Sequence, residues 1–128
     1  MKLEEFSQDN FEQASKRLVR SLTRGKTTSS QPKAILLGGQ SGAGKTTIHR
    51  IKQREFQGNI IIIDGDSYRS FHPNYLGLQE KYGKDSVDYT KVFAGQMVEY
   101  LVDELSKKGY HLLIEGTLRT TEVPQKTA

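Results

Sequence analysis

The chain reads as an α/β fold, a parallel sheet with helices on both faces, and three observations carry that reading. Short apolar runs stand at 34–37, 60–63 and 112–114. The intervals between them hold helical periodicity. The first run feeds directly into Gly38-Gly39-Gln40-Ser41-Gly42-Ala43-Gly44-Lys45-Thr46-Thr47. Strands alternating with helices make a doubly wound sheet, in which ligands gather at the carboxyl ends of the strands.

The glycine-rich segment is a complete phosphate-binding loop, G-x-x-x-x-G-K-[ST], counted from Gly39. Glycines let successive backbone N–H groups turn inward around a phosphate, and a helix starting near Lys45 points its positive end at the same anion. Gly39, Gln40, Ser41, Gly42, Ala43, Gly44, Lys45, Thr46 and Thr47 are thus the expected nucleotide contacts, with Lys45 on the β- and γ-phosphates and the Thr46 hydroxyl on Mg²⁺. ATP and Mg²⁺ are the cofactors this pattern calls for.

Composition narrows the field further. There is no cysteine among the 128 residues, which excludes disulfides and thiolate metal sites. The start, Met1-Lys2-Leu3-Glu4-Glu5, lacks the apolar core of a signal peptide, and no run approaches membrane-spanning length. The expectation is a cytoplasmic protein with no membrane partner. The net charge of +4 is modest, and the basic residues Lys16, Arg17, Arg20, Arg24, Lys26 and Lys33 have no interleaved aromatics. They read as a solvated helix face and a basic linker, so no nucleic-acid partner is expected.

Element by element, Phe11, Ala14, Leu18 and Leu22 place an amphipathic helix over 8–23, stopped by Gly25. This gives an amino-terminal helix within 1–25, a polar linker at 26–32 and a kinase-type domain from 33 to 128. Strand 33–37 leads into the loop and a helix over 46–56, and Gln57-Gly58-Asn59 turns the chain into a strand at 60–64. The four isoleucines there suit a strand buried on both faces and flanked at both edges. Residues 67–84 read as irregular and aromatic. Asp85 or Ser86 caps a long helix to 107, in which Phe93, Met97, Leu101 and Leu105 recur every four residues until Gly109 ends it. A third strand, 111–115, follows. Three strands make a thin sheet, so the chain reads as the amino-terminal part of a larger kinase fold, cut after its third strand.

Candidate chemistry stands at the strand ends. Phosphoryl transfer needs the γ-phosphate held, charge neutralised and an acceptor oxygen deprotonated. Asp66, the more outward carboxylate of Asp64-Gly65-Asp66, is the expected general base, and Asp64 resembles a metal-holding aspartate. Either can instead cap the following turn. Glu115 competes with Asp64 for the metal, and Thr117 and Arg119 stand where a substrate would be contacted. Pattern alone leaves Glu99 unremarkable and His49 and His72 non-catalytic.

Three blocks together, the loop at 38–47, Ile63-Asp64-Gly65-Asp66-Ser67-Tyr68-Arg69 and Leu113-Ile114-Glu115-Gly116-Thr117-Leu118-Arg119, resemble the zeta toxin family. The resemblance runs over essentially the whole chain. It implies an ATP-dependent kinase that phosphorylates the 3′-hydroxyl of UDP-N-acetylglucosamine, starving peptidoglycan synthesis, and a cognate antitoxin that blocks ATP binding. It also implies Asp66 as base and Asp66, Glu99, Glu115, Thr117, Arg119 and Thr127 as the nucleotide-sugar site. Members of the family continue well past the point corresponding to Ala128, with arginines that contact the transferring phosphate. The alternatives are a phosphotransferase on another small hydroxyl substrate, and a non-catalytic fragment that binds nucleotide or antitoxin.

Overall fold

The computed structural model describes residues 2–37 and 42–115. Its elements are α1 (Gln8–Thr23), β1 (Ala34–Leu37), α2 (Gly42–Glu55), β2 (Ile61–Asp64), a 3₁₀ helix (Gly65–Phe71), α3 (Tyr75–Tyr82), a second 3₁₀ turn (Gly83–Asp85), α4 (Ser86–Lys108) and β3 (Leu112–Glu115). The described strands form one parallel sheet in the order β1-β3-β2.

Side-chain alternation along these strands divides the core in two. Ile61, Ile63, Leu112 and Ile114 face α1 and α4, joining Phe11, Leu18, Phe93, Met97, Leu101 and Leu105. Leu37, Ile60 and Leu113 face the other way, packed with Ile35, Ile62 and the α2 side chain Ile48. Helices thus cover both faces. The strand flanked on both edges is β3, buried at all its residues, whereas the isoleucine-rich β2 pairs on one edge only among the described residues. An apolar run signals burial but does not say which neighbour it takes, and among the described strands it is 112–115 that stands between the other two.

Helix α1 begins with a capping box in which Ser7 Oγ accepts from Asn10 N and Asn10 Oδ1 accepts from Ser7 N. Helix α2 begins at Gly42 rather than near Lys45, because its glycines adopt helical geometry as readily as turn geometry. Residues 67–84, expected to be irregular, are mostly helical. Leu76, Leu78, Gln79, Glu80 and Lys81 are good helix formers, and Leu78 is buried. At the start of α4, Asp85 holds the N-cap position without a side-chain cap bond, and Ser86 is the first helical residue, its carbonyl accepting from Thr90 Oγ1 at 3.2 Å. Gly109 ends α4 with φ +98°, and a Cβ there would meet the Ser29 carbonyl oxygen at 3.0 Å.

That carbonyl belongs to the polar segment between α1 and β1, which is strapped across the amino edge of the sheet. Lys26 Nζ donates to Gly58 O at 2.6 Å and Thr27 N to Asn59 Oδ1 at 2.8 Å. Ser29 N donates to Gly109 O at 2.8 Å and Lys33 N to His111 Nδ1 at 3.0 Å.

Phe93 ties the layers together. Its ring lies 4.9 Å from Phe6, 5.8 Å from Phe11 and 5.4 Å from His72, all in edge-on geometry. Phe93→Ala is expected to cost about 3–5 kcal/mol of stability in urea unfolding. The exposed neighbour Val92→Ala should stay within about 0.5 kcal/mol of the parent.

Candidate functional site

Parallel register sets Leu37, Glu115 and Asp64 in one row at the carboxyl edge of the sheet. Leu37 is the last residue of β1 before the phosphate loop. Helix α2 opens at Gly42, only five positions later, with no acidic residue in its first turn and Lys52 and Arg54 in its last. The first N–H groups of a helix have no partner within it, and with the helix dipole they suit an anion at this edge.

On the far side of the row, Asp64 caps the 3₁₀ helix: its Oδ1 accepts from Asp66 N at 3.2 Å and its carbonyl from Ser67 Oγ at 2.7 Å. Of the two readings of Asp64, turn-capping is therefore realised for one carboxylate oxygen. Asp66 stands in the first turn of that helix and is exposed, as a base reaching for a bound hydroxyl must be. The segment is pressed against α4, for a Cβ on Gly65 would lie 3.0 Å from Val98 Cγ2. Glu99 follows Val98 in α4 and is exposed.

Glu115 occupies the middle of the row and is only 5% exposed. Its Oε2 accepts a hydrogen bond from His49 Nε2, carried on α2 three residues after Thr46. The pairing spans 66 positions, and nothing local in the sequence announces it. His72 has a structural place: buried, it donates through Nε2 to Glu4 O at 2.9 Å and accepts through Nδ1 from Asn74 N at 3.0 Å.

Tyr68 is the other residue that motif reading passed over. Its ring is buried, and its hydroxyl has no partner of normal hydrogen-bond geometry among the described residues. Burial holds the phenol well above its ordinary pKa. The Asp64 backbone opposes this in part, and the charges of Asp64 and Glu115 add to the rise.

The donor set fits a nucleotide-borne Mg²⁺. No group of three or more His, Asp or Glu able to cage a metal exists among the described residues. What the edge offers is the Thr46 hydroxyl and one or two carboxylates, and Mg²⁺ takes such sparse protein ligation when phosphates and water complete its shell. Gly42, Ala43, Gly44 and Lys45 are described by backbone, as the first turn of α2, and Thr46 and Thr47 follow in the same helix. Gly39, Gln40, Ser41, Thr117, Arg119 and Thr127 lie outside the described residues. No helix among the described residues is long and apolar enough to cross a membrane.

Residues 18–128 match the family model of the zeta toxins. Over its whole length the chain is 69% identical to Toxin PezT of Streptococcus pneumoniae serotype 4, covering 51% of that protein. It is 42% identical over 124 residues to Toxin zeta of Streptococcus agalactiae, covering 97% of this chain and 43% of that one. A solved structure from work on the PezAT chromosomal toxin–antitoxin system of Streptococcus pneumoniae superposes with a TM-score of 0.91 at 69% identity, covering 99% of this chain and 52% of its own. The chain spans about half or less of the curated relatives it matches.

The buried phenol gives this edge an alkaline signature. An unfolded tyrosine ionises near pH 10, whereas folded Tyr68 keeps its proton to higher pH. Unfolding therefore releases a proton above about pH 10, so this contribution is intact below that value and is lost as pH rises toward the folded pKa. Thermal midpoints of the parent are expected to fall above about pH 10 more steeply than those of Tyr68→Phe. At neutral pH the variant should equal or exceed the parent, since it removes a buried hydroxyl that lacks a partner.

Proposed function

The chain belongs to the zeta toxin family, and on that premise we propose that it carries the nucleotide- and acceptor-binding region of an ATP-dependent kinase. The acceptor is the 3′-hydroxyl of UDP-N-acetylglucosamine, and the protein is the toxin of a toxin–antitoxin pair acting in the cytoplasm. The observation that carries this reading is the shared edge: the end of β1 and the start of α2 on one side, Glu115 in the centre, and Asp64 with Asp66 on the other. A nucleotide held by the loop and an acceptor held by the carboxylates would meet there.

In this reading the backbone of Gly39 to Gly44 and the start of α2 hold the phosphates, and Lys45 offsets their charge. Thr46 and Asp64 or Glu115 would hold Mg²⁺, which would supply further neutralisation of the phosphate charge. Asp66 accepts the acceptor's hydroxyl proton while the new O–P bond forms and the bond to ADP breaks. Glu99, Glu115, Thr117, Arg119 and Thr127 orient the nucleotide sugar. An antitoxin partner is supported by the PezAT pair to which the similar structure relates.

The test is a reaction of ATP, Mg²⁺ and UDP-N-acetylglucosamine, run with this chain and with the same chain extended to the length of its PezT relative. Mass spectrometry should find a nucleotide sugar heavier by one phosphate. Asp66→Asn should reduce turnover by about 10²–10⁴-fold while leaving ATP binding in place. Turnover of another small hydroxyl compound in preference would move the acceptor assignment. ATP or antitoxin binding with no turnover in the extended chain would leave a binding protein.

A further inference from the structure

Two carboxylates, Asp64 and Glu115, stand side by side at the ends of paired strands, where neighbouring backbones are only about 4.8 Å apart. Asp64 satisfies itself with its own turn. Glu115 is at the end of the buried central strand. Among the described residues, its carboxylate finds its hydrogen-bond donor in His49. A buried carboxylate without a donor would turn toward water or away from its neighbour. His49 instead fixes one oxygen and leaves the other to serve a ligand. The imidazole is one turn beyond Thr46 on the helix that follows the phosphate loop, so the bond also ties that helix to the end of β3.

We propose that His49 is a positioning residue for the acceptor site, holding the Glu115 carboxylate in the orientation that binds the nucleotide sugar. This rests on the acceptor reading given above. It assigns a role to a side chain that touches neither phosphate nor sugar, through the same kind of supporting bond that orients ligands at metal centres.

Steady-state kinetics of the full-length protein with UDP-N-acetylglucosamine and ATP tests it. His49→Ala is expected to raise KM for the sugar about 10-fold, the lower range for loss of an orienting partner, with KM for ATP unchanged. His49→Gln, whose amide N–H reaches a similar place, should recover most of the loss. In a Glu115→Gln background, His49→Ala should add nothing further. Unchanged sugar KM in His49→Ala overturns the proposal, as does an undiminished effect in the Glu115→Gln background. A parallel rise in both KM values does so too, marking a general disturbance of α2. If the parent fails to phosphorylate this sugar, the acceptor reading falls and takes the inference with it. A parent that is active and indifferent to His49 overturns the inference alone.

Discussion

The parallel register of three strands is the constraint on which the site depends. Pairing Leu37 with Glu115 and Glu115 with Asp64 brings the phosphate-loop end of β1 and the acidic ends of β3 and β2 into a single row, although they are far apart in sequence. The register is set by burial. A slip of one residue would exchange Leu112 and Ile114, which face α4, with Leu113, which faces α2. Both faces are apolar, but they are packed by different helices with different shapes. The hydrophobic core thereby fixes the relative height of groups that a chemical site needs within a few ångströms of one another.

Crowding acids at that row has an energetic cost, and each acid meets it differently. Asp64 spends one oxygen on the turn that follows it. Glu115, nearly inaccessible, takes a donor from His49. Tyr68 keeps its proton, because burial and the two neighbouring carboxylates all disfavour the phenolate. Asp66, at the start of the turn, stays exposed to solvent.

Much of this was legible in the sequence because local chemistry wrote it there. The four-residue recurrence of Phe93, Met97, Leu101 and Leu105 placed α4 and its buried face, and every one of these side chains is fully inaccessible. Asp64-Gly65-Asp66 placed the acidic turn. What failed were properties set by partners. The order of the strands was not legible: the isoleucines of 60–64 asked for neighbours without naming 112–115 as the strand beside them. The aromatic stretch 67–84 read as irregular, since its helices gain their stability from packing on α4 rather than from periodicity of their own. His49 read as bland, because its partner is 66 residues away. Glu99 came from family resemblance alone, its pattern on α4 having announced nothing.

The segment bearing Asp66 is a 3₁₀ helix, a conformation with poor hydrogen-bond geometry that seldom stands alone. Its precision must come from outside. At its start, Gly65 packs closely on Val98 of α4, whose Cγ2 would lie 3.0 Å from a Cβ placed there. Inside it, Tyr68 is sunk into the main core with the α4 side chains. At its end, His72 bonds to the Glu4 carbonyl and meets the ring of Phe93, while Asn74 Nδ2 donates to Leu3 O at 2.9 Å. The amino-terminal residues, which come before the phosphate loop, therefore serve to clamp the far end of the turn that carries Asp66. A weak helix held at both ends can present an exposed carboxylate in a fixed place, the combination that the base role proposed for Asp66 would require.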